Sequence, residues 1–291
     1  MGRREVKKSS AISIYEVSPR DGLQSLSKVV PLRKKVKLVR KLKRAGLDKI
    51  EVGSLVHPSI LPMRDSDKLY KKTGGDLLVM NKKGFERAKN LGVKHINVVI
   101  SPCEKFIEKN QKTTYTDAIR TYENISKEIP INRLYISCCF SEDTSEESVL
   151  ECVEWGKNIA KTVILCDTDS TATKESVHSL CSKALQITPN LGIHLHMSNC
   201  TIDCVKSAYD AGIRKYDSSI GGLGGCFSVK DAKGNIPTEI LVMWALCNSV
   251  PITQDIRMDK LFGISKYAVK LEYTNTERFS KWVGKKIGML V

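Results

Sequence analysis

The chain has 291 residues, 41% of them hydrophobic and 27% charged, enough to bury one large core or two small ones. No apolar run approaches the ~20 residues of a membrane-spanning helix, and the basic residues 1–8 lack a following apolar segment, so a soluble cytoplasmic protein is expected. The net charge of +15 is dispersed, as in Arg33-Lys34-Lys35 and Lys71-Lys72, without interleaved aromatics; this favours solvated helix faces or steering of an anionic ligand over nucleic-acid binding.

A β-branched run at residues 12–17 reads as a strand, and residues 32–45 as a helix closed by Gly46. The alternation then repeats. Strands are predicted at 49–53, 76–80, 95–100, 133–138, 162–167, 192–196 and 215–219. Helices are predicted between them at 65–72, 82–91, 116–129, 145–160, 173–187 and 202–211, with an eighth at 238–247. Eight strands each followed by a helix imply an α/β fold of the closed (β/α)8 TIM-barrel type. No Pro-, Gly- or Ser-rich linker divides the chain. Residues 1–250 are therefore expected to form the catalytic barrel, and residues 251–291 a short C-terminal extension of two helices packed on it. The ten cysteines include no CxxC pair and read as reduced thiols, mostly small core residues; Cys138 and Cys139 are placed on the fifth strand, facing opposite ways.

A barrel of this type works where its strands end, so polar residues there are the candidates. Strand seven ends in His194-Leu-His196, whose imidazoles, two residues apart, face one side and can share a metal. Strand one runs into Arg20-Asp21, offering a carboxylate to the same ion and a guanidinium fork for an oxyanion. Glu51 lies inside strand two, where a charge must point into the barrel, and Asp167 ends strand six. After strand eight comes Gly221-Gly-Leu-Gly-Gly-Cys226, which lacks the helix and distal acid of a dinucleotide fingerprint and reads as a glycine loop presenting one thiol. Asn235 and Glu239 follow, also expected at the barrel mouth. Asp21, His194, His196 and Asn235 mix oxygen with imidazole and include no thiolate, which suits Mg2+ or Mn2+, with Zn2+ ranked behind them.

Val17-Ser-Pro-Arg-Asp-Gly-Leu-Gln24 resembles the opening motif of the 3-hydroxy-3-methylglutaryl-CoA lyase family, within the wider superfamily of metal-dependent lyases and Claisen-type synthases. Asp217-Ser-Ser-Ile-Gly-Gly-Leu-Gly-Gly-Cys226, with Gly234-Asn235 and Thr238-Glu239, is similar to that family's second signature. The resemblance covers about residues 12 to 250. It implies a retro-Claisen cleavage of 3-hydroxy-3-methylglutaryl-CoA to acetyl-CoA and acetoacetate, the chemistry of leucine catabolism and ketone body formation. It further implies metal ligation by Asp21, His194, His196 and Asn235, and oxyanion stabilisation by Arg20. Gln24 joins Arg20 in binding substrate, Cys226 takes part in proton transfer, and Glu51, Asp167 and Glu239 complete the polar network. A homodimer is left open. Where the lyases usually continue Asp-Thr-x-Gly after the histidines, this chain reads Met197-Ser198-Asn199-Cys200, which changes the surroundings of the ligands.

Three other readings compete with it. One is a Claisen-type synthase joining an acyl-CoA to a 2-oxo acid, another an aldolase on the same scaffold. The third is a non-catalytic basic barrel that binds an acidic partner.

Overall fold

The computed structural model describes residues 10–26, 28–224 and 234–272. Eight parallel strands form one sheet: β1 (Ser13–Glu16), β2 (Glu51–Ser54), β3 (Asp76–Leu78), β4 (Ile96–Ile100), β5 (Ile131–Ile136), β6 (Ala160–Cys166), β7 (Leu191–His194) and β8 (Lys215–Ser218). Their order is β1-β8-β7-β6-β5-β4-β3-β2, and a parallel bridge from Glu16 to Ile50 joins the two ends of the sheet. This is the (β/α)8 barrel.

Helices α1 (Leu32–Arg44), α2 (Ser66–Thr73) and α3 (Lys82–Asn90) connect the first four strands. The β4–β5 crossover holds two, α4 (Glu104–Gln111) and α5 (Tyr115–Ser126); then come α6 (Glu146–Gly156), α7 (Lys174–Ile187), α8 (Thr201–Ala211) and α9 (Thr238–Cys247). Polar caps start several of them. Asn81 accepts the Gly84 N–H at 3.0 Å, and Thr173 forms a capping box with Ser176. Helix α4 is not in the sequence expectation. It buries only Ile107, so its periodic signal is weak.

Two further expectations change. Cys138 and Cys139 lie in the turn after β5, not on the strand, and Cys138 has a φ of 62°. The described part of the C-terminal extension forms one helix, α10 (Met258–Glu272). Helix α9 explains where α10 sits. Its sequence is apolar nearly all round, and the barrel end and α10 bury most of it, leaving Leu246 and Cys247 of the last turn exposed. The Leu261, Ile264 and Ala268 side chains of α10 are buried there.

The barrel mouth is held together by Glu16, which is fully buried. One carboxylate oxygen accepts the N–H groups of Ser18 (2.9 Å) and Ile220 (3.0 Å), and the other accepts the Thr238 hydroxyl at 2.6 Å. One side chain thus ties the loop after β1 to the turn after β8 and to the start of α9. Glu16→Ala orphans three buried donors at roughly 1–3 kcal/mol each, so it is expected to destabilise the fold by about 3–5 kcal/mol. Glu16→Gln keeps an acceptor for both N–H groups and, with Thr238 turned, is expected to cost under about 1.5 kcal/mol. Urea unfolding midpoints compare the two, and equal losses would remove this stapling role.

Candidate active site

Just past β1 the chain tightens. The Val17 carbonyl accepts the N–H groups of Arg20 (3.1 Å), Asp21 (2.8 Å) and Gly22 (3.3 Å), so Ser18–Gly22 closes into one wide helical turn above the strand end. Pro19 suits the first turn, where an N–H would have no partner. This turn carries Arg20 and Asp21 towards the barrel axis. His194 ends β7. His196 lies beyond the strand and is held by an antiparallel bridge to Asn235. Two backbone bonds fix that bridge: Met197 N–H to Gly234 O (2.8 Å) and Ile236 N–H to Leu195 O (3.1 Å).

Asp21, His194 and His196 thus come together from two ends of the sequence. The Nε2 atoms of the histidines are 3.3 Å apart, and Asp21 Oδ2 is 4.0 Å from His194 Nε2. Each imidazole has a partner for its other nitrogen: Asp217 Oδ2 lies 3.3 Å from His194 Nδ1, and the Thr168 carbonyl 3.2 Å from His196 Nδ1. Asn235 completes the cluster. Its Nδ2 donates to Asp21 Oδ2 (2.7 Å) and the Leu223 carbonyl (2.9 Å), while its buried Oδ1 has no partner among the described residues.

These residues fit a divalent cation. Bond lengths of about 2.1 Å separate neighbouring ligands of an octahedral ion by ~3.0 Å, close to the spacing of the two imidazoles. An unpaired amide oxygen beside a carboxylate supplies a further hard donor.

Charge in the cluster is strongly organised. Burial would raise the Asp21 carboxyl, but Arg20 and the two histidines outweigh it and hold it down at about 2. Burial and the neighbouring His194 push His196 down to about 4, which leaves its imidazole neutral. Burial also works against the Arg20 charge, yet Glu51 and Asp21 overcome it, and the guanidinium stays protonated. Arg20 Nη1 donates to Asp21 at 2.5 Å, and its Nε donates to Glu51. Glu51 also accepts from Asn97, itself bonded to Tyr15, so its charge is built into a polar barrel floor.

Above this floor opens a cavity of about 510 Å3. Arg20, Asp21, Gln24, His194 and His196 line it, with Tyr135 and Thr168 beside them. Gln24 Oε1 is buried without a partner among the described residues. The far wall is more apolar, with Leu78, Met80, Val99 and Phe106, and Lys109 and Lys112 stand there at the end of α4.

Asp167 and Glu239 do not line the cavity. Asp167 turns into its own loop and accepts the N–H groups of Thr171 (3.0 Å) and Ala172 (3.1 Å); burial lifts its carboxyl to about 6. Glu239 faces the other way, accepting the Gly221 N–H (3.0 Å) and the Ser265 hydroxyl (2.8 Å), and so ties α9 to α10. Cys226 lies outside the described residues. Among the described thiols Cys166 lines the cavity, and burial raises it well above the usual thiol range, so it is not a thiolate at neutral pH. Met197, Ser198, Asn199 and Cys200 do not line the cavity either. Ser198 and Thr201 bond to each other at the start of α8.

Sequence reasoning missed Glu16, Arg133, Tyr135 and Asp217. The signal was present for three of them: each is a charged residue inside a β-branched or aromatic strand, the same sign that marked Glu51.

The fold and this cluster define a (β/α)8 barrel whose mouth gathers an Asp-His-His set able to hold a cation beside an arginine at the floor of a cavity. The HMGL-like family model matches residues 11–267, and the chain belongs to that family. It is a lyase. It is 30% identical to the (R)-citramalyl-CoA lyase of Chloroflexus aurantiacus, over 88% of this chain and 90% of that one. It is also 30% identical to the hydroxymethylglutaryl-CoA lyase of Pseudomonas mevalonii, over 80% of this chain and 83% of that one. Among solved structures, an HMG-CoA lyase from Acinetobacter baumannii, in complex with coenzyme A and 3-methylmalate, superposes with a TM-score of 0.85. That pair shares 29% identity and covers 91% of this chain and 92% of that one. Among the described residues no helix is long and apolar enough to cross a membrane.

Proposed function

We propose that this protein is a hydroxymethylglutaryl-CoA lyase that cleaves 3-hydroxy-3-methylglutaryl-CoA to acetyl-CoA and acetoacetate with Mg2+ or Mn2+. The observation that carries the reading is Asp21, His194, His196 and the unpaired Asn235 Oδ1 set against Arg20 on the cavity floor. When bound, the cation would hold the substrate's hydroxyl and carboxylate oxygens and make the hydroxyl easier to deprotonate. The hydroxyl proton leaves to a base, the C2–C3 bond breaks, and its electron pair passes to the thioester as an enolate. C3 becomes the ketone of acetoacetate. The enolate then takes a proton at C2. Arg20 faces the oxygen on which negative charge grows, and Glu51 and Asp21 orient its guanidinium. Gln24 offers a free oxygen to the substrate's polar edge. Cys226 is assigned to the proton transfer, with Asp167 and Glu239 supporting the loops around the site.

A second reading has a specific observation behind it, the relative named for (R)-citramalyl-CoA. The same bond cleavage in a citramalyl thioester releases pyruvate in place of acetoacetate. One assay separates the two: each thioester is supplied with Mg2+, with Mn2+ and with EDTA, and the released keto acid is identified. Acetoacetate release that EDTA stops and Mn2+ restores is the expected result, with Cys226→Ala lowering the rate by about 10²–10⁴. Pyruvate released faster than acetoacetate would transfer the assignment to the citramalyl ester, and release unaffected by EDTA would remove the metal.

A further inference from the structure

The barrel interior carries a second buried ion pair that the proposed chemistry does not use. Arg133 on β5 reaches across the barrel to Asp217 on β8, its Nη2 donating to Asp217 Oδ1. Both side chains are buried. Arg133 is clamped in place: its guanidinium carbon stacks 3.8 Å from the Tyr15 ring centroid, and its Nε donates to the Tyr135 hydroxyl at 3.3 Å. The other Asp217 oxygen lies 3.3 Å from His194 Nδ1.

We propose that Asp217, held by Arg133, is the positioning residue that commits His194 to metal binding. An imidazole can present Nε2 to a cation only if that nitrogen is free of its proton, and the bond made by Nδ1 decides where the proton sits. Asp217 is an acceptor that cannot donate, since one oxygen is engaged by the guanidinium and the other faces the ring. It therefore fixes the proton on Nδ1 and points the Nε2 lone pair at Asp21 Oδ2 and His196 Nε2. The opposite tautomer would aim an N–H into the ligand cluster and leave the carboxylate facing a bare nitrogen.

The two histidines are unequal in this respect. His196 donates to the neutral Thr168 carbonyl, whereas His194 is backed by an anion, which makes it the stronger electron donor of the two. Arg133 has a different task. It donates to Asp217 Oδ1, holds the carboxylate with its other oxygen toward the His194 ring, and matches the buried negative charge.

The inference rests on the metal reading, so the test separates the two. Mn2+ binding to the full-length protein is titrated by electron paramagnetic resonance for the wild type and three variants. One Mn2+ per chain in the wild type, lost in His194→Ala, establishes the site; failure of either result removes the metal reading itself. The double variant Asp217→Asn/Arg133→Gln replaces the ion pair by an amide pair and leaves no buried charge unmatched. It is expected to bind Mn2+ about 10–100-fold more weakly, the usual cost of losing an outer partner of a metal-binding histidine. Arg133→Gln alone leaves Asp217 facing His194 and is expected to stay within about threefold of the wild type. Equal losses in the single and double variants would show that only the packing of the pair matters and would overturn the proposal, as would unchanged affinity in the double variant. A measurement on the wild type stands apart from any folding defect. In protein labelled with 15N at its five histidines and loaded with Mg2+, the signal missing from His194→Ala must show the Nδ1–H tautomer; an Nε2–H signal refutes the assignment.

Discussion

Arg20→Met is expected to lower kcat by about 10²–10³ while the protein still binds Mn2+. The guanidinium is oriented before substrate arrives. Glu51 takes its Nε, Asp21 takes Nη1 at 2.5 Å, and no hydrogen bond within the described residues takes up Nη2. A preorganised donor at the floor of an enclosed cavity spends no reorganisation when negative charge develops on the thioester oxygen, so the loss falls on kcat more than on KM. Arg20→Lys keeps the charge but offers one point donor to three demands, and should still lose about tenfold or more. Arg20→Met also strands the Glu51 carboxylate in the interior without its cation and with only the Asn97 amide still donating to it. Adding Glu51→Gln to Arg20→Met relieves that cost, so stability should recover in thermal unfolding while kcat stays low. Recovery of kcat in the double variant would show that Arg20 serves the fold and not the reaction.

Gly224→Ala is expected to weaken Mn2+ binding by about tenfold or more and to lower turnover in step, with a comparatively small loss of stability. Gly224 has a φ of 115°, a conformation that a residue with a Cβ avoids. A methyl group there would collide with the Asn235 side-chain nitrogen and press against Asp21 Oδ2 at 3.4 Å. The amide has little room to yield, since its nitrogen is tied to Asp21 and to the Leu223 carbonyl, and moving it breaks those bonds and displaces both Asp21 and the side chain proposed to supply Oδ1 to the metal. Manganese titration and steady-state kinetics on the folded variant test this together. Wild-type metal affinity would mean that Asn235 is not a ligand.

Much of this arrangement is visible in local pattern. His194 and His196 are two residues apart where the seventh strand ends, and an extended period of two is enough to suggest both rings on one side. Arg20 and Asp21 follow the first strand directly, and strand ends are where such a barrel gathers its polar groups. Glu51 announces itself as a charge within an apolar run. The eight strands and most of their helices follow from alternation, caps and closing glycines, all interactions between residues near in sequence.

Orientation is where local pattern runs out. Asp167 and Glu239 stand at positions as suitable as Asp21, yet one turns to its own loop amides and the other to Ser265 of α10. A carboxylate beside a strand end takes whichever donors the fold brings nearest, and those donors come from distant segments. Helix α4 leaves a faint trace because its main contacts are made as the β4–β5 crossover folds over the cavity, with Gln111 bonded to the Val99 carbonyl at 2.8 Å.

By itself the sequence determined the succession of strands and helices, the two imidazoles on one face, and the acid and arginine at the first strand's end, because each depends on spacing along the chain. Only the tertiary structure decided that Asn235 lies against Asp21, that Arg133 reaches Asp217 across the barrel, and that Glu16 staples three segments at its mouth. Apart from Ser18, which is two residues from Glu16 in the chain, those partners are 84 to 222 residues apart, and closure of the barrel, which local propensity does not encode, is what places them within hydrogen-bonding distance.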